Sequence, residues 1–259
     1  MLKKDIAALL EDGNVFFSLQ DKLFLSVPSK DTPAFIYKSP YSNCNIRFEK
    51  KAIFIANDDV LADNMNLGWK TYSMDLSELV EILAVIDTAM KQSFLVKKDK
   101  NTLISESVKE YILLDETLSE SYSVKNIVVD LIIREQPEFD AWCNTLRKFE
   151  AYGMMRFILS AAQSDKNANI NQLCVRYGVS ASYFRQLYRE NFNKTAKRKI
   201  MSVRMANAIL QLIESESSIL DVGLEAGYCS ASHFTNDLKK ELGLTPSEIR
   251  HIGANLYEQ

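Results

Sequence analysis

Apolar positions along the chain change their period once, near Asp75. Before that point they come in short aromatic and branched runs: Val15-Phe16-Phe17, Lys22–Val27, Ala34–Tyr37, Asn45–Glu49 and Ala52–Ala56. Turn formers separate them, with Pro28-Ser29-Lys30-Asp31, Pro40 and Asn57-Asp58-Asp59 in between, so the spacing predicts short strands up to about Trp69. From Asp75 the residues Leu76, Leu79, Val80, Leu83 and Ile86 recur at helical spacing and predict a helix to about Gln92. Further helices are expected over Ser105–Leu118, Val124–Arg134 and, in one run, Glu138–Ala161. Ser164–Asn169 is polar and aperiodic and reads as a linker. Nearly everything after it is helical. The expected class is α+β: a domain over 1–160 that is β-rich to about 70 and then helical, followed by an all-α domain over 165–259.

The second half contains a repeated pattern. VRYGVSASYFRQLYREN at 175–191 and LEAGYCSASHFTNDLKKEL at 224–242 each run from a short helix through a glycine to a serine, then to Ala-Ser-aromatic-Phe at the head of a second helix. In the first copy Ile170, Leu173 and Cys174 share a face, Gly178 supplies positive φ for the turn, and Ser180 caps the next helix. Phe184, Leu187 and Tyr188 then point inward, and Ser182, Arg185, Gln186 and Arg189 fall on the opposite face. In the second copy Ser218 caps Ile219–Glu225, Gly227 makes the turn and Ser230 caps the following helix. Phe234 and Leu238 point inward, leaving Ser232, His233, Thr235, Asn236 and Lys239 outside.

Two such units are what a double helix-turn-helix requires. The second helix of each unit enters the major groove, where Arg reads guanine O6 and N7 and Gln can read adenine. Lys194–Ile213 reads as one continuous helix with Ile200, Val203, Ile209, Leu210 and Ile213 as its apolar positions. About twenty residues span roughly 30 Å, close to one turn of B-DNA. The joining helix therefore sets two readers one groove apart. Lys194, Lys197 and Arg198 at its start are candidate phosphate contacts.

Composition narrows the remaining classes. Net charge is −3, but residues 164–259 hold 12 basic against 10 acidic side chains, so the acidic excess lies in the first part. The four cysteines, Cys44, Cys143, Cys174 and Cys229, form no CxxC pair and have no metal-ligand spacing, as expected of thiols in a reducing compartment. Neither a signal peptide nor a membrane span is apparent, and the expected location is the cytoplasm. The two histidines, His233 and His251, both lie in the helical second half, and no P-loop, GxGxxG or HExxH occurs. No catalytic residue, metal or cofactor is expected.

The stretch Ile219-Leu-Asp-Val-Gly-Leu-Glu-Ala-Gly227-Tyr-Cys-Ser230-Ala-Ser-His-Phe234, continued by Gly243-Leu-Thr-Pro246-Ser247-Glu-Ile-Arg250, resembles the C-terminal signature of the AraC/XylS transcription regulators. The resemblance covers about 165–252. It departs at Asn193, where many members have glycine, and at Gly223, where alanine is usual and where glycine should loosen the helix by roughly 1 kcal/mol. Tyr177-Gly-Val-Ser-Ala-Ser-Tyr-Phe-Arg-Gln-Leu, Arg204-Met-Ala-Asn-Ala-Ile-Leu and Glu150-Ala-Tyr are similar to the AraC-type activators of type III secretion and invasion genes. The resemblance implies an activator of virulence or secretion genes, with promoter DNA and RNA polymerase as partners. It also implies control of the N-terminal domain by a secretion chaperone co-activator or an anti-activator, and admits a homodimer. Two other readings stand beside this one. The N-terminal domain is instead a pocket for a sugar or fatty acid, or the C-terminal region is a helical interaction module that binds no DNA.

Overall fold

A computed structural model of the chain describes residues 22–39, 44–56, 68–90, 109–115, 123–135, 138–164 and 170–257. The fold divides into two compact units, 1–156 and 157–259. The first expected strand, Val15–Phe17, and all but the first residue of the expected linker lie outside the described residues.

The first unit is built on strands β1 (Lys22–Pro28), β2 (Phe35–Lys38), β3 (Asn45–Phe48), β4 (Ala52–Ala56), β5 (Trp69–Met74) and β6 (Tyr111–Leu113). Four of them form an antiparallel sheet in the order β5-β1-β4-β6, and β2 and β3 pair as a separate hairpin. Period-two alternation sends Phe24 and Phe54, register neighbours on β1 and β4, to one face, where they join Phe35, Tyr37, Phe48 and Trp69 in one aromatic cluster. Leu23, Leu25, Ile53 and Ile55 alternate with them on the other face and are also buried. All of β4 is therefore inaccessible, as a central strand covered on both faces must be.

Helices α1 (Leu76–Ala89), α2 (Val124–Ile133) and α3 (Phe139–Leu146) follow, then α4 (Glu150–Ser164), within which the two units divide. Asp75 caps α1, accepting from the amides of Ser77 and Glu78 at 2.9 and 3.2 Å. Two expectations fail here, over Ser105–Leu118 and over Glu138–Ala161, and one strand lies where none was expected or excluded. The helix expected over Ser105–Leu118 is not formed at Tyr111–Leu113, which instead pairs with Ala52–Phe54 as β6. A Tyr-Ile-Leu run suits a strand as well as a helix, and the free edge of β4 decides between them. Trp69–Met74 is a strand although its apolar pattern is weak, because β1 offers it a full ladder from Pro28 to Leu23. The run over Glu138–Ala161 breaks into α3 and α4 at Arg147–Phe149.

That break places a buried charge pair. Arg147 donates from Nε and Nη2 to the two carboxylate oxygens of Asp87 at 2.8 and 2.9 Å, and the Tyr152 hydroxyl donates to Asp87 Oδ2 at 2.6 Å. The Asp87 side chain is 2% exposed. Burial alone would raise its carboxyl. The hydrogen bonds from Arg147 and Tyr152, with the charges of Arg147 and Arg156, outweigh that and hold it below its ordinary value.

The second unit continues with α5 (Ile170–Tyr177), α6 (Ala181–Phe192), α7 (Ala196–Glu214), α8 (Ile219–Glu225), α9 (Ala231–Leu242) and α10 (Pro246–Tyr257). Its two cores lie at either end of α7. Around α6 an aromatic ladder runs Phe157, Tyr177, Phe184, Tyr188, Phe192, with neighbouring ring centroids 4.8–6.3 Å apart. Around α9 the core is Ala208, Leu212, Val222, Ala226, Tyr228, Phe234, Leu238 and Ile249. Leu210, expected among the apolar positions of α7, is 54% exposed instead, and the buried contacts fall to Ala196, Ile200, Ala208 and Leu212. Among the described residues no helix is long and apolar enough to cross a membrane.

Candidate nucleic-acid interface

Both turn units form as local chemistry dictates. Gly178 and Gly227 sit at φ +84° and +85°, the left-handed region that lets α5 and α8 stop and reverse. The Ser180 hydroxyl then accepts from the Tyr183 amide at 3.3 Å, and the Ser230 hydroxyl from the His233 amide at 3.1 Å. These caps fix where α6 and α9 begin, and hence which side chains occupy their first turns. Asn193 adopts φ +50° at the end of α6 and its amide bonds the Arg189 carbonyl, so asparagine supplies the left-handed cap that glycine provides elsewhere.

The first turn-helix pair presents one polar face. Phe184 and Tyr188 are buried, and Ser182, Arg185, Gln186 and Arg189 are exposed, as their spacing requires. Two of the four are engaged within the chain: Arg185 Nη2 donates to Asn171 Oδ1 on α5 at 2.8 Å, and Gln186 Nε2 to Glu190 Oε1 at 2.8 Å. The bond from Arg185 bridges the two helices of the unit and holds the guanidinium over their junction. Tyr183, 40% exposed in the first turn of α6, stands on the same exposed surface, and sequence reasoning omitted it because an aromatic residue beside Phe184 counts as core.

On α9, Phe234 and Leu238 are fully buried, Ser232, His233, Asn236 and Lys239 are exposed, and Thr235 is half-buried. His233 lies between Cys229, with Sγ 3.5 Å from Nδ1, and Asp237, with Oδ2 3.9 Å from Nε2. The face is polar and carries both signs of charge.

Thr195 caps α7, accepting from the Arg198 amide at 3.3 Å. Lys194 consequently precedes the helix, and Lys197 and Arg198 occupy its first turn, all three exposed. Arg198 Nη2 reaches to 4.0 Å from Glu241 at the end of α9. With α7 described as 19 residues, the joining helix is about 28 Å long.

At the other end of α7 one residue organises the second core. Arg250 on α10 donates from Nη2 to the Ser217 carbonyl at 2.5 Å and from Nε to the Leu212 carbonyl at 3.4 Å. Thr245 and Glu248 close a reciprocal box at the head of α10. The Thr245 amide donates to Glu248 Oε2 at 2.7 Å, and the Glu248 amide to Thr245 Oγ1 at 3.3 Å. The end of the chain's signature, Thr-Pro-Ser-Glu-Ile-Arg, is thus a helix start plus a bolt across the end of α7.

Residues 173–252 match the model of a helix-turn-helix domain. The second unit is an AraC-type helix-turn-helix domain. A chain carrying this domain is a DNA-binding transcription regulator rather than an enzyme. It is 28% identical over 180 residues to the invasion protein InvF of Salmonella typhimurium, covering 69% of this chain and 80% of that one. It is 31% identical over 107 residues to the transcriptional regulator MxiE of Shigella flexneri, covering 41% and 51% respectively. A DNA-binding transcriptional dual regulator from Escherichia coli K-12 is similar at 20% identity and a TM-score of 0.37, over 39% of this chain and 93% of that one. The match to InvF is longer than the whole AraC-type unit and so includes part of the first unit.

Proposed function

We propose that the chain activates invasion or secretion genes by seating α6 and α9 in successive major grooves of promoter DNA. In this reading Ser182, Arg185, Gln186 and Arg189 read bases from α6, with Arg185 and Gln186 the strongest discriminators. Ser232, His233, Thr235, Asn236 and Lys239 on α9 add backbone contacts and weaker readout. Lys194, Lys197 and Arg198 hold phosphates.

The observation that carries the reading is the charge placed against the helix dipoles. Lys197 and Arg198 stand in the first turn of α7, where the positive end of the dipole disfavours cations. The first turns of α6 and α9 hold no acidic residue, whereas those of α8 and α10 hold Asp221 and Glu248. Helix starts that lack acids, beside cations at a third, suit an anion supplied from outside, as a phosphate backbone is.

The first unit is where a protein partner acts in this proposal, through a chaperone co-activator or an anti-activator, with RNA polymerase recruited at the promoter. The likeness to the invasion protein InvF extends upstream of the reader and supports a role in invasion for the first unit as well. Phe35 and Tyr37, which a sugar reading would recruit as stacking surfaces, are consumed in the packed aromatic cluster.

Selection from a random DNA pool by the full chain, followed by a salt titration, tests the proposal. The expected motif has two half-sites about one helical turn apart and binding that falls steeply with salt. Absence of any selected motif, with and without a co-expressed partner, overturns it.

A further inference from the structure

Cys229 stands one residue before the Ser230 cap of α9 and is exposed. His233, held by its amide to that cap, turns its ring back so that Nδ1 lies 3.5 Å from the Cys229 sulfur. Tyr228, itself buried, meets the imidazole edge-on at 5.2 Å between centroids. On the far side Asp237 Oδ2 is 3.9 Å from Nε2. A nucleophile, a base within reach of its proton, and a carboxylate facing the base are thus gathered across the start of one helix. Among the described residues no other cysteine is found beside a histidine. Cys143 and Cys174 are buried, and His251, the other histidine, lies against Asn255.

We propose that Cys229, with His233 as its base, is a modification site for a small disulfide of the glutathione class. The thiol proton passes to His233 Nδ1, and the imidazolium so formed faces Asp237. The Cys229 sulfur attacks one sulfur of the disulfide. A new S–S bond forms, the old one breaks, and the departing sulfur takes its electron pair and recovers the proton. Cys229 is oxidised to a mixed disulfide, and the leaving half is reduced to a free thiol. The adduct sits at the N-terminus of α9 and brings two carboxylates to the place where a helix start would hold a phosphate. Modification therefore releases DNA, and a reducing thiol restores binding. This consequence rests on α9 being a reader, as proposed above.

The full chain is incubated with oxidised glutathione, and adduct formation is followed by peptide mass spectrometry at Cys229 and at the exposed Cys44, which serves as the internal standard. Cys229 should react roughly tenfold faster than Cys44, and His233→Gln should remove most of that advantage. Equal rates at the two cysteines, or a rate at Cys229 unchanged by His233→Gln, overturn the proposal. DNA affinity of the modified chain should fall roughly tenfold and return on reduction, and Cys229→Ser should be insensitive. If the adduct forms as described but DNA binding is unaffected, and Lys239→Ala also leaves binding unchanged, the failure lies in α9 as a reader. If Lys239→Ala weakens binding and the adduct does not, the proposed switch is wrong.

Discussion

Gly223 on α8 lies directly against Phe234 on α9: a Cβ at position 223 would stand 3.2 Å from both the Cβ and the Cδ1 of that ring. The departure from alanine thus has a packing reason. Gly223→Ala should gain roughly 1 kcal/mol of helix propensity but lose more to overpacking against a fully buried phenylalanine, for a net destabilisation of about 1 kcal/mol. Gly253→Ala should cost more, because its Cβ would meet the branched Ile213 side chain at 2.9 Å, with the Ile213 Cα at 3.2 Å behind it. Urea unfolding of the two variants checks the order. A stabilised Gly223→Ala would show that α8 and α9 separate freely.

Arg250 ties α10 to the end of α7 and to the turn between α7 and α8. Arg250→Lys keeps the charge but cannot reach both carbonyls from one planar group. A loss of about 1–2 kcal/mol is expected in thermal unfolding, with DNA sequence preference retained where the protein remains folded. Unchanged stability would show that the bolt is redundant.

In the first unit, Asp87→Asn removes the carboxylate that accepts from both Arg147 and Tyr152 and should destabilise by about 3 kcal/mol. The pH dependence has a definite sign. A carboxyl held below its ordinary value when folded stabilises fully above the unfolded carboxylate range and loses that contribution as pH falls through the folded value. The native chain should therefore lose stability below about pH 4, and the variant should lose less over the same window. Acid titrations of unfolding for both proteins compare the slopes.

Arg185→Ala should cost roughly 1–3 kcal/mol of DNA affinity and relax preference at one base position. A uniform loss across all sequences would instead make the residue a phosphate contact. Affinity measured on the selected site and its single-base variants separates the two outcomes.

Lys197→Ala should leave sequence preference intact and reduce the slope of log affinity against log salt by roughly one. Glu241→Gln should act the other way and tighten binding, because it frees Arg198 from its partner. Salt titrations of the two variants on one site decide. A slope unchanged in Lys197→Ala removes that residue from the phosphate track.

The double-turn architecture and its exposed faces were legible because they are written in contacts of four residues or fewer. Ser180, Ser218 and Ser230 announce helix starts by bonding amides three positions on, and Gly178, Gly227 and Asn193 end or turn a helix through their own φ. Once those points are set, the 3.6 period decides that Phe184 and Phe234 go in and Arg185 and Asn236 go out. Tertiary structure decided whatever depends on a distant partner. Tyr111–Leu113 is a strand because Ala52–Phe54 has a free edge, Asp87 is held buried by an arginine 60 residues away, and Gly223 fits because Phe234 fills the space its side chain leaves. The base that stands 3.5 Å from Cys229 is the intermediate case: its four-residue spacing is readable in the chain, but only the turn before α9 brings the sulfur back onto the ring. Local hydrogen bonds and side-chain periodicity carry their meaning within a few residues, whereas pairing edges, buried charges and close helix contacts take theirs from whichever surface the rest of the fold presents.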